Sequence, residues 1–436
     1  MHPVALFVFI PFCKIHCTYC DFNVYANLAR VMEPYADAVA REIAVVGARH
    51  SPNVDSTTIN SALDQSDSAD QQSLANASPL RMPAKSIFLG GGTPSLMSIS
   101  QLEKIFRAFR ESFAIASGAE ITLEANPGTM DAAKLRDLRA LGINRLSIGV
   151  QAFDDATLKR LNRGHTVADA MQTYDDARRA GYDNINLDFI YGLPLQTLDD
   201  WRATIERALT LAPEHLSLYA LKVEEGTGLE FQIEHKKYPM PDDDLAAEMY
   251  TLAEEKLDAA GYEHYEISNW ARRVRADHPE RSAAQSKDSP LQSRHNLTYW
   301  LNQPYLGFGA GAHSYFNGKR YWNILSPLEY IAQVGRGETV VGGSETIERA
   351  TEMAETMFLG LRLARGVVFE EFSARVGEDA REKYAAQFEE LEKLGLIEFE
   401  NERPDRLLTR KPVRSGVRLT PRGRLLSNEV FWRFLP

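Results

Sequence analysis

Seven consecutive apolar residues, Val4-Ala5-Leu6-Phe7-Val8-Phe9-Ile10, lie near the start of the chain and read as a buried strand. Residues 34–49 follow with Tyr35, Ala38, Val39, Ile43 and Val46 at helical spacing. The pairing then recurs. Residues 86–89 predict a short strand, and residues 100–113 a helix with Leu102, Ile105, Phe106 and Phe109 on one face. Further strands are predicted at 120–124, 145–150, 184–190 and 215–223, with helices at 131–141, 167–180 and 198–211. Six strands with helical crossovers predict an α/β fold built on a parallel sheet. Six repeats with one ligand-binding end suit an open, partial (β/α)6 barrel better than a Rossmann sheet, although periodicity alone does not separate the two.

Two segments interrupt this rhythm. Residues 51–85 are rich in Ser, Asp, Asn, Gln and Ala, and 272–293 mix charges with little apolar content. Neither can bury enough surface to offset its ordering entropy, so both predict flexible surface insertions. Beyond residue 345 the pattern becomes mainly helical, at 345–364, 369–376 and 379–394. Strands at 395–399 and 417–420 and a closing helix at 423–434 then resemble a winged-helix end. The expected division is 1–235 (barrel), 236–344 (connecting region) and 345–436 (C-terminal domain). Arg406, Arg410, Lys411, Arg414 and Arg418 would make the wing basic. A net charge of −11 nevertheless argues against nucleic acid as a partner of the whole chain.

No apolar run approaches the roughly 18–20 residues that a membrane helix needs. The N-terminal run lacks a basic leader and a small-residue cleavage site, so it does not read as a signal peptide. The cysteines carry more information. All three fall in Cys13-Lys14-Ile15-His16-Cys17-Thr18-Tyr19-Cys20, which cannot supply a disulfide framework. Thiols of this kind point to a reducing cytoplasm. Three thiolates converging from one loop suit iron–sulfur ligation, and a cuboidal cluster with three protein ligands keeps one iron open. A zinc site with His16 as fourth ligand, or redox-active thiols, remain alternatives on the spacing alone.

The spacing C-x3-C-x2-C after an apolar run resembles the signature of the radical S-adenosylmethionine (SAM) superfamily, in which the methionyl group of SAM chelates the open iron. Gly90-Gly91-Gly92-Thr93-Pro94, directly after a predicted strand, resembles that superfamily's element for the methionyl amine. Glu124, Gln151, Asp188 and Ala220 sit at or near successive strand ends, where parallel α/β sheets bind ligands. Glu124 suits an amine or a ribose, Asp188 a ribose hydroxyl, and Arg163 the methionyl carboxylate.

A narrower resemblance rests on Ile10-Pro11-Phe12-Cys13, Tyr19-Cys20-Asp21-Phe22, Gly149-Val150-Gln151 and Leu187-Asp188-Phe189-Ile190-Tyr191-Gly192-Leu193-Pro194. With Leu419-Thr420-Pro421-Arg422-Gly423 near the end, these are similar to the oxygen-independent coproporphyrinogen III dehydrogenase family and its HemW-type haem-chaperone relatives. The resemblance implies a [4Fe–4S] cluster on Cys13, Cys17 and Cys20. It also implies SAM contacts at Gly91, Gly92, Thr93, Glu124, Gln151, Arg163, Asp188 and Ala220, with Tyr19 packed beside them. The dehydrogenase carries a fourth cysteine where this chain has Phe22, whereas the chaperone branch carries Asp-Phe. That branch also has an H-N-x-x-Y-W element, intact here as His295-Asn296-Leu297-Thr298-Tyr299-Trp300.

The resemblance therefore implies a haem chaperone. It would bind one haem with His295 near the iron and deliver it to haemoproteins, respiratory and membrane-associated acceptors among them, and it leaves room for a homodimer. The alternative is the dehydrogenase reaction itself. A zinc-stabilised nucleic-acid-binding protein using the winged end is a third reading. In one place the chain departs from the family: the strand before the cysteines usually reads Tyr-x-His, and here it reads Phe7-Val8-Phe9. A phenol that would contact SAM is thereby lost at Phe7.

Overall fold

The computed structural model describes residues 3–49, 81–274, 291–401 and 414–436. Most of both expected insertions lies outside the described residues, as do Arg406, Arg410 and Lys411 of the wing. The strand–helix rhythm is as the sequence suggests. In chain order it runs β1 (Val4–Ile10), α1 (Met32–Arg49), β2 (Met82–Gly91), α2 (Ile99–Ser112), β3 (Phe113–Ala125), α3 (Ala132–Ala140), β4 (Arg145–Gln151), α4 (Asp155–Arg160), α5 (Val167–Arg179), β5 (Ile185–Tyr191), α6 (Leu198–Leu211) and β6 (His215–Ala220). Local chemistry starts the helices. Ser98, Asp131, Asp154, Thr166 and Thr197 each cap a helix by accepting the backbone N–H three residues on.

The chain continues through α7 (Gly228–Glu234), α8 (Asp243–Ala259), β7 (Tyr262–Glu266), β8 (Asn269–Arg272) and α9 (Arg294–Trp300). Then come β9 (Tyr305–Phe308), β10 (His313–Phe316), β11 (Lys319–Asn323), α10 (Pro327–Gly335), β12 (Val341–Thr346) and α11 (Arg349–Leu361). The C-terminal part has β13 (Val367–Val368), β14 (Ile397–Asn401) and β15 (Arg414–Leu419) among short helices. Two compact units result: residues 1–186, 222–237 and 304–345 form one, and residues 187–221, 238–303 and 346–436 the other.

In the first unit the strand order is β12-β11-β10-β9-β1-β2-β3-β4. β9, β1, β2, β3 and β4 run parallel, with Phe7 opposite Gly307 on one side and Phe88 on the other. β10 and β11 add antiparallel strands beyond β9. Side chains alternate between the faces, as they must in a pleated strand. Leu6, Val8 and Ile10 are fully buried. On that same side Phe308 packs against Phe109 of α2 at 5.5 Å between ring centres. Phe7, Phe9 and Phe88 point to the opposite face and are half-buried.

The second unit orders its strands β5-β6-β8-β7. Trp201 of α6 is buried and donates Nε1–H to the Met249 carbonyl of α8 at 2.8 Å. Its C-terminal part is a three-stranded sheet, β13-β15-β14, whose core gathers Phe369, Phe372, Tyr384, Phe388, Val417 and Phe434. This is the mainly helical, winged-helix-like end expected from the sequence.

Some boundaries differ. The strand expected at 86–89 begins at Met82, so residues 82–85 belong to β2 rather than to the insertion. The helix expected from 345 begins at Arg349, because Val341–Thr346 is a strand. The helix expected over 379–394 breaks at Tyr384 into Ala380–Lys383 and Ala385–Lys393. α4 and β9–β11 were not expected at all. Their polar and glycine-rich sequences carry no clear period.

Candidate cofactor site

The cysteine loop leaves β1 and is pinned along its length. Phe12–Cys13 pairs in parallel with Tyr25–Ala26. The Thr18 N–H donates to the Leu161 carbonyl at 3.1 Å, the Leu229 N–H of α7 donates to the Thr18 carbonyl at 2.7 Å, and Asn162 Nδ2 donates to the His16 carbonyl at 2.8 Å. Cys13, Cys17 and Cys20 are all half-buried, and a turn bond joins the Cys20 N–H to the Cys17 carbonyl. Burial raises the Cys13 thiol, an effect partly offset by the Thr93 hydroxyl 3.5 Å away. Burial, reinforced by the neighbouring sulfurs, pushes the Cys20 thiol up to about 11. Metal must therefore displace protons here, which makes loading easier at higher pH. Among the described residues no three His, Cys, Asp or Glu side chains converge on one ion-sized point.

Around this loop the ends of β2, β3 and β4 bring together most of the expected residues. Gly91 has φ +106°, and a Cβ there would fall 2.8 Å from the Phe9 ring. A Cβ at Gly92 would meet the Phe12 and Ile10 carbonyls at 2.7 and 2.8 Å. Both positions admit only glycine without a shift. Glu124 accepts the Gly91 N–H at 2.9 Å. Thr93 is buried, and its hydroxyl accepts from Asn126 Nδ2 at 2.9 Å. Gln151, at the end of β4, adopts φ +68°, a left-handed conformation uncommon outside glycine.

Arg163 reaches across from the turn after α4. Its Nη2 donates to Asn126 Oδ1 at 2.6 Å and to the Gly149 carbonyl at 2.8 Å, and its Nη1 donates to the Tyr19 hydroxyl at 3.3 Å and lies 3.5 Å from Cys17 Sγ. Its Nε is buried and has no hydrogen-bond partner among the described residues. Such an orphaned donor calls for an acceptor, and a carboxylate is the chemistry a guanidinium fork binds best. Burial raises the Tyr19 phenol, and Arg163 opposes that shift. The glycine cradle, the Glu124 carboxylate and the orphaned Arg163 donor together fit a zwitterionic amino-acid group beside a cluster.

Asn126 is the member that sequence reasoning missed. It bridges Thr93 and Arg163, and its place just beyond β3 obeys the strand-end rule that singled out Glu124. In the second unit, Asp188 lies half-buried within β5 and Ala220 is exposed at the end of β6. His295 is also in that unit. It is 1% exposed, and its Nε2 bonds the Tyr299 hydroxyl at 3.0 Å within α9. Trp300 of the same helix lies beneath the Arg362 guanidinium at 4.2 Å. The H-N-x-x-Y-W element thus lies on a packed helix.

Residues 7–208 match the radical SAM superfamily and residues 347–404 the HemN C-terminal domain. The heme chaperone HemW of Bacillus subtilis is 33% identical over 433 residues, 99% of each chain. The heme chaperone HemW of Synechocystis is 32% identical, covering 98% of this chain and 95% of its own. Mitochondrial radical S-adenosyl methionine domain-containing protein 1 of Bos taurus is 33% identical, covering 84% of this chain and 70% of its own. Among solved structures, coproporphyrinogen III oxidase (HemN) from Escherichia coli, a radical SAM enzyme, superposes with a TM-score of 0.76 at 21% identity. That match covers 99% of this chain and 90% of the other.

Proposed function

The chain belongs to the radical SAM superfamily and, within it, to the family of heme chaperone HemW, and from that premise we propose that it binds haem and hands it to haemoproteins while carrying a SAM-ligated [4Fe–4S] cluster. The observation that carries this reading is the match along 99% of both chains to a heme chaperone. Phe22 supports it, since the dehydrogenase has a fourth cysteine at that position.

Cys13, Cys17 and Cys20 hold three irons of the cluster. When bound, the cluster supplies a one-electron donor at an iron open to SAM. Arg163, through its orphaned Nε and its charge, neutralises the methionyl carboxylate. Gly91 and Gly92 let the backbone approach the methionyl amine, and Glu124 accepts from it. Gln151, at the end of β4, completes the SAM contacts of this unit. Tyr19 fills the space between cluster and guanidinium. His295 can reach a haem iron only after leaving Tyr299 and the core around α9.

Two assays on anaerobically reconstituted protein test the reading. Haem titration followed by absorbance is expected to saturate at one haem per chain, and incubation with coproporphyrinogen III, SAM and a reductant is expected to give no protoporphyrinogen. Absence of saturable binding, or robust turnover, would overturn it in favour of the dehydrogenase.

A further inference from the structure

Asn126 lies outside the SAM contacts that the resemblance implies, yet its side chain joins two of them, Thr93 and Arg163. It opens the turn after β3. Asn126-Pro127-Gly128-Thr129 closes with the Thr129 N–H on the Asn126 carbonyl at 3.3 Å. Proline in second place and Gly128 at φ +75° in third are what a type II turn requires. Pro127 also biases Asn126 toward extended backbone. A closed ring of hydrogen bonds then pins that backbone. The Asn126 N–H donates to Ser95 Oγ at 3.3 Å, and the Thr129 hydroxyl donates to the Asn126 carbonyl at 2.6 Å. The Ser95 and Thr129 hydroxyls lie 2.6 Å apart. Thr129 gives its proton to the carbonyl, so Ser95 is the donor between them. Ser95 is fully buried, so water does not compete for its hydroxyl.

The chemistry of its neighbours orients the side-chain amide. A guanidinium can only donate, so Asn126 turns Oδ1 to Arg163 Nη2, 2.6 Å away. Nδ2 is thereby aimed at Thr93 Oγ1, at 2.9 Å, and an amide nitrogen also only donates. The Thr93 hydroxyl receives that bond and keeps its own proton to give. Cys13 Sγ lies 3.5 Å from it, within reach of an O–H···S bond. At the other end, Arg163 Nη1 lies 3.5 Å from Cys17 Sγ. One polar chain therefore runs from Cys13 through Thr93, Asn126 and Arg163 to Cys17, and both of its ends present hydrogen to sulfur. Thr93 is buried, and a low local dielectric strengthens such bonds. A Cβ added at Gly149 would come 3.2 Å from both Arg163 Nη2 and Asn126 Oδ1, so that glycine leaves room for the pair.

We propose that Asn126 is a positioning residue for the cluster: it sets the Thr93 hydroxyl on Cys13 and the Arg163 guanidinium on Cys17, and so raises the potential at which the cluster accepts an electron. This rests on the cluster-binding reading above and deepens it. The step concerned is a one-electron transfer from an external reductant, with no bond made or broken. Reduction adds one negative charge, part of which falls on the coordinating sulfurs. A donor hydrogen on a sulfur stabilises that charge, so each of the two bonds favours the reduced form. Arg163 is also the residue whose Nε is left for a carboxylate. The same amide thus connects the methionyl end of the site with both sulfurs.

The test is potentiometric titration of anaerobically reconstituted full-length protein without SAM, read by the electron paramagnetic resonance signal of the reduced cluster. Thr93→Val replaces the hydroxyl on Cys13 by a methyl group. It is expected to make reduction roughly tenfold less favourable, a downward shift of about 59 mV. Asn126→Asp keeps one oxygen toward Arg163 but puts a second toward Thr93, whose hydroxyl must then turn to it and leave Cys13. That variant is expected to fall at least as far, since its new charge acts in the same direction. The double variant separates charge from geometry. It is expected to match Asn126→Asp alone, because the bond to Cys13 is already gone. Asn126→Leu, similar in size and uncharged, releases both ends of the chain and is expected to lower the potential without added charge. Iron and sulfide content and far-UV circular dichroism check that each variant is loaded and folded. A wild-type potential in Thr93→Val or Asn126→Leu would overturn the proposal. So would a double variant that lies below Asn126→Asp by the full Thr93→Val shift. Wild-type protein that takes up no iron and sulfide would instead overturn the cluster-binding reading, and the proposal with it.

Discussion

Arg163 joins three parts of the candidate cofactor site through one side chain: the cysteine loop by Cys17 and Tyr19, β3 by way of Asn126, and β4 through the Gly149 carbonyl. Only the planar fork can make these contacts together and still offer Nε to a ligand. Arg163→Lys is therefore expected to lower SAM affinity by about tenfold or more while leaving iron and sulfide content unchanged. Isothermal titration of the loaded protein with SAM checks it, and unchanged affinity would remove Arg163 from the SAM site. A second residue, Glu42 of α1, is buried and accepts bonds from Gly309 N–H, Tyr330 O–H and Asn323 Nδ2. Burial outweighs these three donors and raises its carboxyl to about 7. Its folded pKa thus lies above the unfolded one, so the folded state keeps a proton the unfolded chain has lost. The cost is absent below the unfolded pKa and grows as pH rises from about 4.5 to about 7. Relative to Glu42→Gln, the wild type is expected to lose roughly 3 kcal/mol of stability between about pH 4 and pH 8. Urea unfolding at both pH values measures this, and a constant difference would contradict it. At this scale the cysteines, the glycines, Glu124 and Arg163 were legible because each has a chemistry tied to its position. Asn126 and Glu42 were not. An asparagine after a strand looks like any turn residue, and a glutamate in a helix reads as a solvated side chain until the packing around it is known.

At the scale of elements, the helices that follow strands were legible almost to the residue because their caps are written in the sequence. Ser98 with Gln101, Thr166 with Asp169 and Thr197 with Asp200 all form reciprocal capping boxes. Thr166→Ala is expected to cost about 1 kcal/mol in unfolding free energy. β9–β11 were illegible for the opposite reason. Gly307, Gly309 and Gly311 break the alternation, Gly309 and Gly311 because they take positive φ and all three because neighbouring atoms crowd them. A Cβ at Gly307 would strike the His313 carbonyl at 2.1 Å, and one at Gly309 the Tyr35 hydroxyl at 2.4 Å. The run mimics a dinucleotide fingerprint, yet what it provides is close approach between neighbouring strands. In the C-terminal part, a Cβ at Gly423 would fall 1.8 Å from the Leu396 carbonyl. Gly423→Ala is expected to displace the short helix Pro421–Leu425 from β14 and to destabilise that part by roughly 2 kcal/mol or more. A lower-temperature first transition in calorimetry reports it, and an unaltered melting profile would show that the backbone can yield there.

For the molecule as a whole, dispersed motifs did what periodicity could not. Alternating strands and helices left a barrel and a Rossmann sheet both open, whereas the cysteine loop, the Gly90-Gly91-Gly92 turn and the strand-end residues pointed to one candidate ligand site. The branch of the family turned on Phe22, which is exposed beside the cysteine loop, where a fourth thiolate would otherwise stand. No helix among the described residues is long and apolar enough to cross a membrane. Delivery is the account's central claim, and one measurement tests it most directly. Haem-loaded, cluster-replete protein is mixed anaerobically with an apo-haemoprotein, and the absorption spectrum is followed in time. The account predicts that haem moves to the acceptor faster than it is lost to a free-haem scavenger, with the donor returning to its haem-free spectrum. Haem that stays on the protein, or that reaches the acceptor no faster than it reaches the scavenger, would contradict it.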